Sequence, residues 1–216
     1  MGKLNMGILG GFSGTVGTVV GSTNKNGDDI IRAKSKKSRP ASSVGQVKQQ
    51  TKFGLVTGCM QGLNPVLKSG MKQAASSENI SPFNFACRYA LTNAISGTDE
   101  QPELDYSKVI VSVGKLSRIS GATAVNANGN IEFSWSDKVE NAVGELTDHV
   151  SLVVFNVSNG ELSYSEGEHL RSAKTATLPA PYSEMGDKLL FYLYFQSATM
   201  PTLVSTSQYL GNAVVA

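Results

Sequence analysis

The spacing of apolar residues divides the chain into a glycine-rich opening, a helical stretch and a long region of two-residue alternation. Glycines at 7, 10, 14, 17 and 21 recur every three or four residues. The intervening run Thr15-Val16-Gly17-Thr18-Val19-Val20 is nevertheless rich in β-branched residues and favours a strand. Asn24-Lys25-Asn26-Gly27 reads as a turn, because Asn-Gly adopts the positive φ angles of a tight hairpin. Asp28 to Lys34 is the return strand, so residues 14–36 are expected to form a hairpin behind a loose glycine-rich arm.

The period lengthens after Pro40. Ser42 or Ser43 can cap a helix whose body is Val44 to Leu63, with Phe53, Val56, Met60, Leu63 and Leu67 on its apolar face. Gly54, Gly58 and Gly62 recur every fourth residue, a stripe that lets another backbone approach closely. Pro65 is expected to break or kink this helix. Ser81-Pro82 opens a second helix that runs to the neighbourhood of Ser96. Thr98 to Tyr106 is acidic and reads as a linker or surface loop.

Beyond it the alternation has a period of two. Candidate strands are 108–113, 122–125, 131–135, 149–156, 162–166, 175–178, 188–196 and 203–208, separated by turn signals at Asn128-Gly129, Asn159-Gly160 and Glu184-Met185-Gly186. Trp135, Phe191, Leu193 and Phe195 are the natural core positions. The expected fold class is therefore α+β. A glycine-rich basic arm, β-hairpin and helical region (1–104) precedes an antiparallel β-sandwich (105–216).

Charge sharpens this division. Residues 1–72 hold 11 Lys or Arg against Asp28 and Asp29, a local charge of +9, whereas residues 73–216 carry −7. Such asymmetry favours head-to-tail self-association or a basic arm on an acidic partner. Arg32, Lys34, Lys36, Lys37 and Arg39 place five cations in eight residues, and the first three share one face of an extended chain. Cys59 and Cys87 lie among apolar neighbours in the helical region and read as buried free thiols. The opening lacks a continuous apolar region and a small-residue cleavage site, so no signal peptide is expected. No apolar run reaches the roughly 18 residues of a membrane span. Met6 stands where a myristoylation motif needs Ser or Thr. A cytoplasmic or virion-associated protein fits these features.

Recognisable reaction chemistry is absent from the sequence. His149 opens a strand and His169 lies in the polar stretch Glu166-Gly-Glu-His, neither beside a nucleophile in a familiar context. Zinc-ligand spacings, a phosphate-binding glycine loop and a dinucleotide fingerprint are all missing. Ser69-Gly-Met-Lys72 matches Ser-x-x-Lys without its companion motifs and is read as chance. Asn126 to Glu132 is a hairpin turn sooner than a calcium loop, for want of aspartates. The expectation is a non-enzyme with no cofactor and no metal.

The opening Met1-Gly-Lys-Leu-Asn-Met-Gly-Ile-Leu-Gly-Gly-Phe-Ser-Gly, with Val16-Gly-Thr-Val-Val-Gly21 and Arg32 to Pro40, resembles an uncharacterised bacterial family of domains of unknown function. The resemblance continues through Gln50-Thr-Lys-Phe53, Phe83-Asn-Phe85, Asp105-Tyr-Ser-Lys-Val109 and Phe133-Ser-Trp-Ser-Asp137, and implies no activity. The hairpin, basic strand and Gln-x-x-Lys-Phe helix are also similar to the start of bacteriophage-associated virion or assembly proteins. The C-terminal strands look like a fibronectin type III or immunoglobulin-like domain.

The leading expectation is thus a structural or self-assembling protein, phage- or prophage-derived, forming a homo-oligomer through residues 1–72. The first alternative is nucleic-acid binding through Arg32, Lys34, Lys36, Lys37 and Arg39. The second is a ligand- or protein-binding sandwich module.

Overall fold

The computed structural model describes residues 3–4, 11–24, 27–35, 41–119, 121–127, 129–136 and 143–215. They belong to two compact units, Met1–Ser43 and Val44–Ala216.

The N-terminal unit is an antiparallel sheet of four strands in sequence order: β1 (Lys3–Leu4), β2 (Phe12–Val16), β3 (Val19–Thr23) and β4 (Asp29–Ala33). The β3–β4 hairpin lies where Asn24 to Gly27 predicts a turn, with Thr23 opposite Asp29. The run 15–20 is two strands instead of one. Val16 pairs with Val19 across the two-residue loop Gly17-Thr18, and Gly17 takes φ +56°. Glycine at the first central position is what a type II′ turn requires, so this residue splits a β-branched run that composition alone reads as continuous. Gly21 is needed for a different reason: a Cβ there would collide with the Phe12 carbonyl and ring.

The second unit opens with α1 (Val44–Gly70), α2 (Lys72–Ser77) and α3 (Pro82–Asn93). Helix α1 is not broken at Pro65 and continues to Gly70. Gln61, whose carbonyl lacks a donor at Pro65, is exposed to water, while Val66, Leu67 and Gly70 continue the buried face beyond it. Ser81 caps α3 by accepting from the Asn84 N–H at 3.2 Å, with Pro82 in the first turn. The acidic stretch is not a linker. It folds as a hairpin of β5 (Ile95–Gly97) and β6 (Pro102–Leu104), and Asp99 at its tip bonds Lys52 of α1 at 2.7 Å.

The remaining strands are β7 (Thr123–Ala127), β8 (Asn130–Ser134), β9 (His149–Asn156), β10 (Leu162–Leu170), β11 (Thr175–Pro179), β12 (Lys188–Gln196) and β13 (Gln208–Val214). They form one sheet of order β10-β9-β12-β13 and another of order β11-β8-β7, with every strand pairing antiparallel. Residues 109–113 are extended but unpaired into a named strand, and the last strand begins at Gln208, where the expected one ends. Strand β10 continues past Glu166 through a bulge, since Gly167 at φ +76° lets the register jump from Glu166 to His169.

Strands β9 and β12 organise the core. Val150, Leu152 and Val154, with Leu189, Phe191, Leu193 and Phe195, pack with Ile131, Phe133, Trp135, Ala176 and Leu178. The alternate residues Val153, Phe155, Leu190, Tyr192 and Tyr194 pack with Val56, Met60, Leu63, Leu67 and α3. One sheet is thereby buried on both faces, by a second sheet and by helices. Sharing this core joins the helices to the strands, so the units divide at 43/44 instead of at the expected 104/105. The molecule is α+β, with antiparallel sheets throughout.

Candidate functional site

Each region that could carry function is built differently. In the body, two polar clusters tie elements of the fold together. Arg171 is fully buried, donates from Nη2 to the Ser117 carbonyl at 2.7 Å and lies 3.7 Å from Asp148. Its guanidinium stacks 4.0 Å from the Phe195 ring centroid, and its carbonyl accepts from the Trp135 indole N–H at 2.7 Å. Burial lowers the pKa of Arg171, and the Asp148 carboxylate opposes that shift. This is a charged staple between the loop before β9 and the end of β10.

A second cluster joins the helices to the sheet. Ser69 Oγ donates to Glu166 Oε1 at 2.5 Å, and the Tyr194 hydroxyl donates to the same oxygen at 3.2 Å. Burial pushes the Tyr194 phenol up to about 12, and the Glu166 charge adds to the rise. The Ser69 hydroxyl is thus held by a carboxylate and a phenol, an arrangement that pins α1 to β10. Burial likewise pushes the Cys59 thiol up to about 12, with Cys87 adding to the effect, and both cysteines are free. A thiol held protonated in this way is a weak nucleophile. An open groove of about 810 Å³ runs past Tyr89, Asn93, Lys108, Arg118, Gln208 and Tyr209. Its Lys108 is paired with Asp105 at 3.1 Å. Among the described residues, no group of three or more His, Cys, Asp or Glu is placed to hold a metal.

The glycine stripe divides. Gly62 lies against the Phe155 ring and the Gly160 carbonyl, where a Cβ would come within 2.5 Å of Phe155 Cε2. Gly54 and Gly58 meet nothing within 4 Å, so the close packing expected along the whole stripe occurs within the chain at Gly62 alone. The helical pitch explains this, because Val56, Met60 and Leu63 point to the core while Gly54 and Gly58 lie on the outer side. The helix is exposed on most sides as far as Gly54, including Val44, Val47 and Phe53.

In the N-terminal sheet, Arg32 lies in β4 and Lys34 just beyond it, both exposed and on one face as alternation requires. Lys36, Lys37 and Arg39 lie outside the described residues. The same strand exposes two residues that the charge pattern hides, Ile30 at 46% and Ile31 at 64%. The exposure of one of them was legible in principle, since adjacent isoleucines in a strand point to opposite faces and a one-sided core can cover only one. Among residues 11–35 as described, no apolar side chain is fully buried.

The model of a family of unknown function, DUF6266, matches residues 11–211. The chain belongs to this family. The DUF6266 match, residues 11–211, covers parts of both compact units. No curated protein and no solved structure matches the chain. Among the described residues, no helix is long and apolar enough to cross a membrane.

Proposed function

We propose that this protein is a structural, self-assembling component that joins to further copies through its N-terminal region. The carrying observation is the N-terminal sheet, which presents Val16, Ile30 and Ile31 and has no fully buried apolar side chain among its described residues. A β-sheet gains stability by packing one apolar face against another layer, and a sheet without that layer is completed by a partner. The exposed Val44, Val47 and Phe53 on the opening turns of α1 add apolar surface in the same part of the sequence. In the body, Ser69, Glu166 and Tyr194 bond one another and Arg171 bonds Ser117 and Asp148, which supports a framework over a catalyst.

The two facing sheets of the body, sharing the apolar layer around Phe133 and Phe191, support reading the C-terminal strands as an immunoglobulin- or fibronectin-type sandwich. Such a module would be displayed by the assembly, and a phage-derived virion or assembly structure is the setting that the opening residues suggest. Light scattering coupled to size-exclusion chromatography tests the reading. Particles well above the 22.8 kDa chain mass are expected, and a monomer at every concentration and salt would overturn it.

Nucleic-acid binding is the second reading, favoured by the shared exposed face of Arg32 and Lys34. Five phosphate contacts by Arg32, Lys34, Lys36, Lys37 and Arg39 would make log K fall with log salt at a slope of about −4.5. No mobility shift with DNA or RNA at low salt would remove it.

A further inference from the structure

The edge of the N-terminal sheet carries enough order to specify its partner. Strand β4 is the outermost strand in the order β1-β2-β3-β4, and each of its residues is exposed. The Lys34 N–H donates to the Thr18 carbonyl at 2.7 Å and the Asp28 carbonyl accepts from the Asn24 N–H at 2.9 Å, both toward β3. Backbone groups alternate along an antiparallel strand, so those of residues 28, 30, 32 and 34 point inward. The N–H and C=O groups of Asp29, Ile31 and Ala33 therefore point off the edge that no other described strand pairs.

We infer that β4 pairs antiparallel with β4 of a second copy about a two-fold axis at Ile31, which deepens the assembly reading above and rests on it. A two-fold axis perpendicular to the sheet requires directly opposed residues to share a face, so odd residues face odd and even face even. Centring on Ile31 brings all three outward-pointing residues into register: Asp29 opposite Ala33, Ile31 opposite Ile31, and Ala33 opposite Asp29. The even residues then oppose one another in the closer, non-hydrogen-bonded pairs. Ile30 lies against the aliphatic stem of Arg32. Asp28 lies opposite Lys34, and symmetry repeats this pair at the other end.

This charge complementarity selects the occupant and the register together. Sliding either way from this register gives up an outward-pointing pair or the two Asp28–Lys34 matches. The basic residues that suggest an acidic partner thus find acids on the same strand of a second copy. Edge strands with unpaired backbone groups and alternating aliphatic residues are templates for such pairing.

Sedimentation equilibrium of the full-length protein at low salt tests the inference. Asp28→Lys and Lys34→Asp each place like charges opposite at both ends, and each should weaken association roughly tenfold or more. The double variant should regain wild-type affinity. An equimolar mixture of the two single variants should form heterodimers, which misfolding of either variant would not produce. Ile31→Pro removes an outward N–H, leaves the inward ladder to β3 intact and should abolish association with an unchanged circular dichroism spectrum. If the wild type associates but the single swaps match it, or the double variant and the mixture show no rescue, the β4 register is overturned and assembly uses another surface. A wild type that stays monomeric overturns both this pairing and the assembly reading.

Discussion

Strand β9, His149-Val-Ser-Leu-Val-Val-Phe-Asn156, and strand β4, Asp29-Ile-Ile-Arg-Ala33, are both led by aliphatic residues, yet their surroundings are opposite. All but the first residue of β9 are buried, because helices cover one face and a second sheet covers the other. Each residue of β4 is exposed. Strand β9 thus keeps its apolar residues internal, and β4 keeps them on its surface. Both strands carry adjacent aliphatic residues, and what separates them is that β9 lies between two layers of its own unit.

The strongest way to break this comparison is in the body core. Phe155→Ala should cost about 3–5 kcal/mol, because Phe155 is buried between β9 and the helices. Urea unfolding followed by the fluorescence of Trp135, the one tryptophan, reads the body alone. By contrast, Ile30→Ser should shift that transition by less than about 0.5 kcal/mol. A large effect at Ile30 would mean that the two strands are not so different.

Alkaline pH acts on the body next. Cys59 and Tyr194 keep their protons to about 12 in the folded chain, against ordinary values of 9.0 and 10.0. Their folded pKa values are raised, so the stabilising contribution is complete below pH 9.0 and is lost as pH climbs toward 12. Each group adds a slope of at most about 1.4 kcal/mol per pH unit in that window. The urea midpoint should be flat from neutral pH to 9.0 and then fall. A flat profile through pH 11 would show that neither group is closed off from water.

Within α1 the glycine stripe offers a finer contrast. Gly62→Leu should cost about 1–3 kcal/mol or more by forcing the Phe155 ring aside. Gly58→Ala should stabilise the helix by up to about 1 kcal/mol, since an added Cβ meets nothing within 4 Å. Gly58→Leu should leave the body's melting unchanged, and a smaller particle size in that variant would assign Gly58 to a contact between copies. The smallest expected effect on the body is the removal of residues 1–43. Its thermal transition should stay in place while self-association is lost, and a clear fall in melting temperature would show that the two units depend on each other.

Much of the body was legible because its strands are long and punctuated. The runs 149–156 and 188–196 read as strands with the bounds they have, and Ser81-Pro82 marks a helix start that the Ser81 hydroxyl caps. Trp135, Phe191, Leu193 and Phe195 are core residues as alternation requires. The burial of Leu190, Tyr192 and Tyr194 was not legible, because it depends on helices remote in sequence arriving on that face. Gly17 as part of a two-residue turn was hidden by the valines around it, and Pro65 does not break α1 because its outward position makes the missing bond tolerable. Of the candidate site, the cations at β4 were visible as charge, whereas the exposure of both Ile30 and Ile31 beside them was not.

By itself the sequence determined that α1 and α3 are helices, the bounds of β9 and β12, and the sign of charge in residues 1–72 and 73–216, since these depend on neighbours within a few residues. Tertiary structure alone decided that α1 and α3 share a core with the strands, that Gly62 is tight while Gly58 is open, and that Arg171 is buried against Asp148. It also decided that β4 is an edge. The physical reason is common to all four. Burial is set by which distant surfaces meet, and a residue's own chemistry states only what it would gain from being covered.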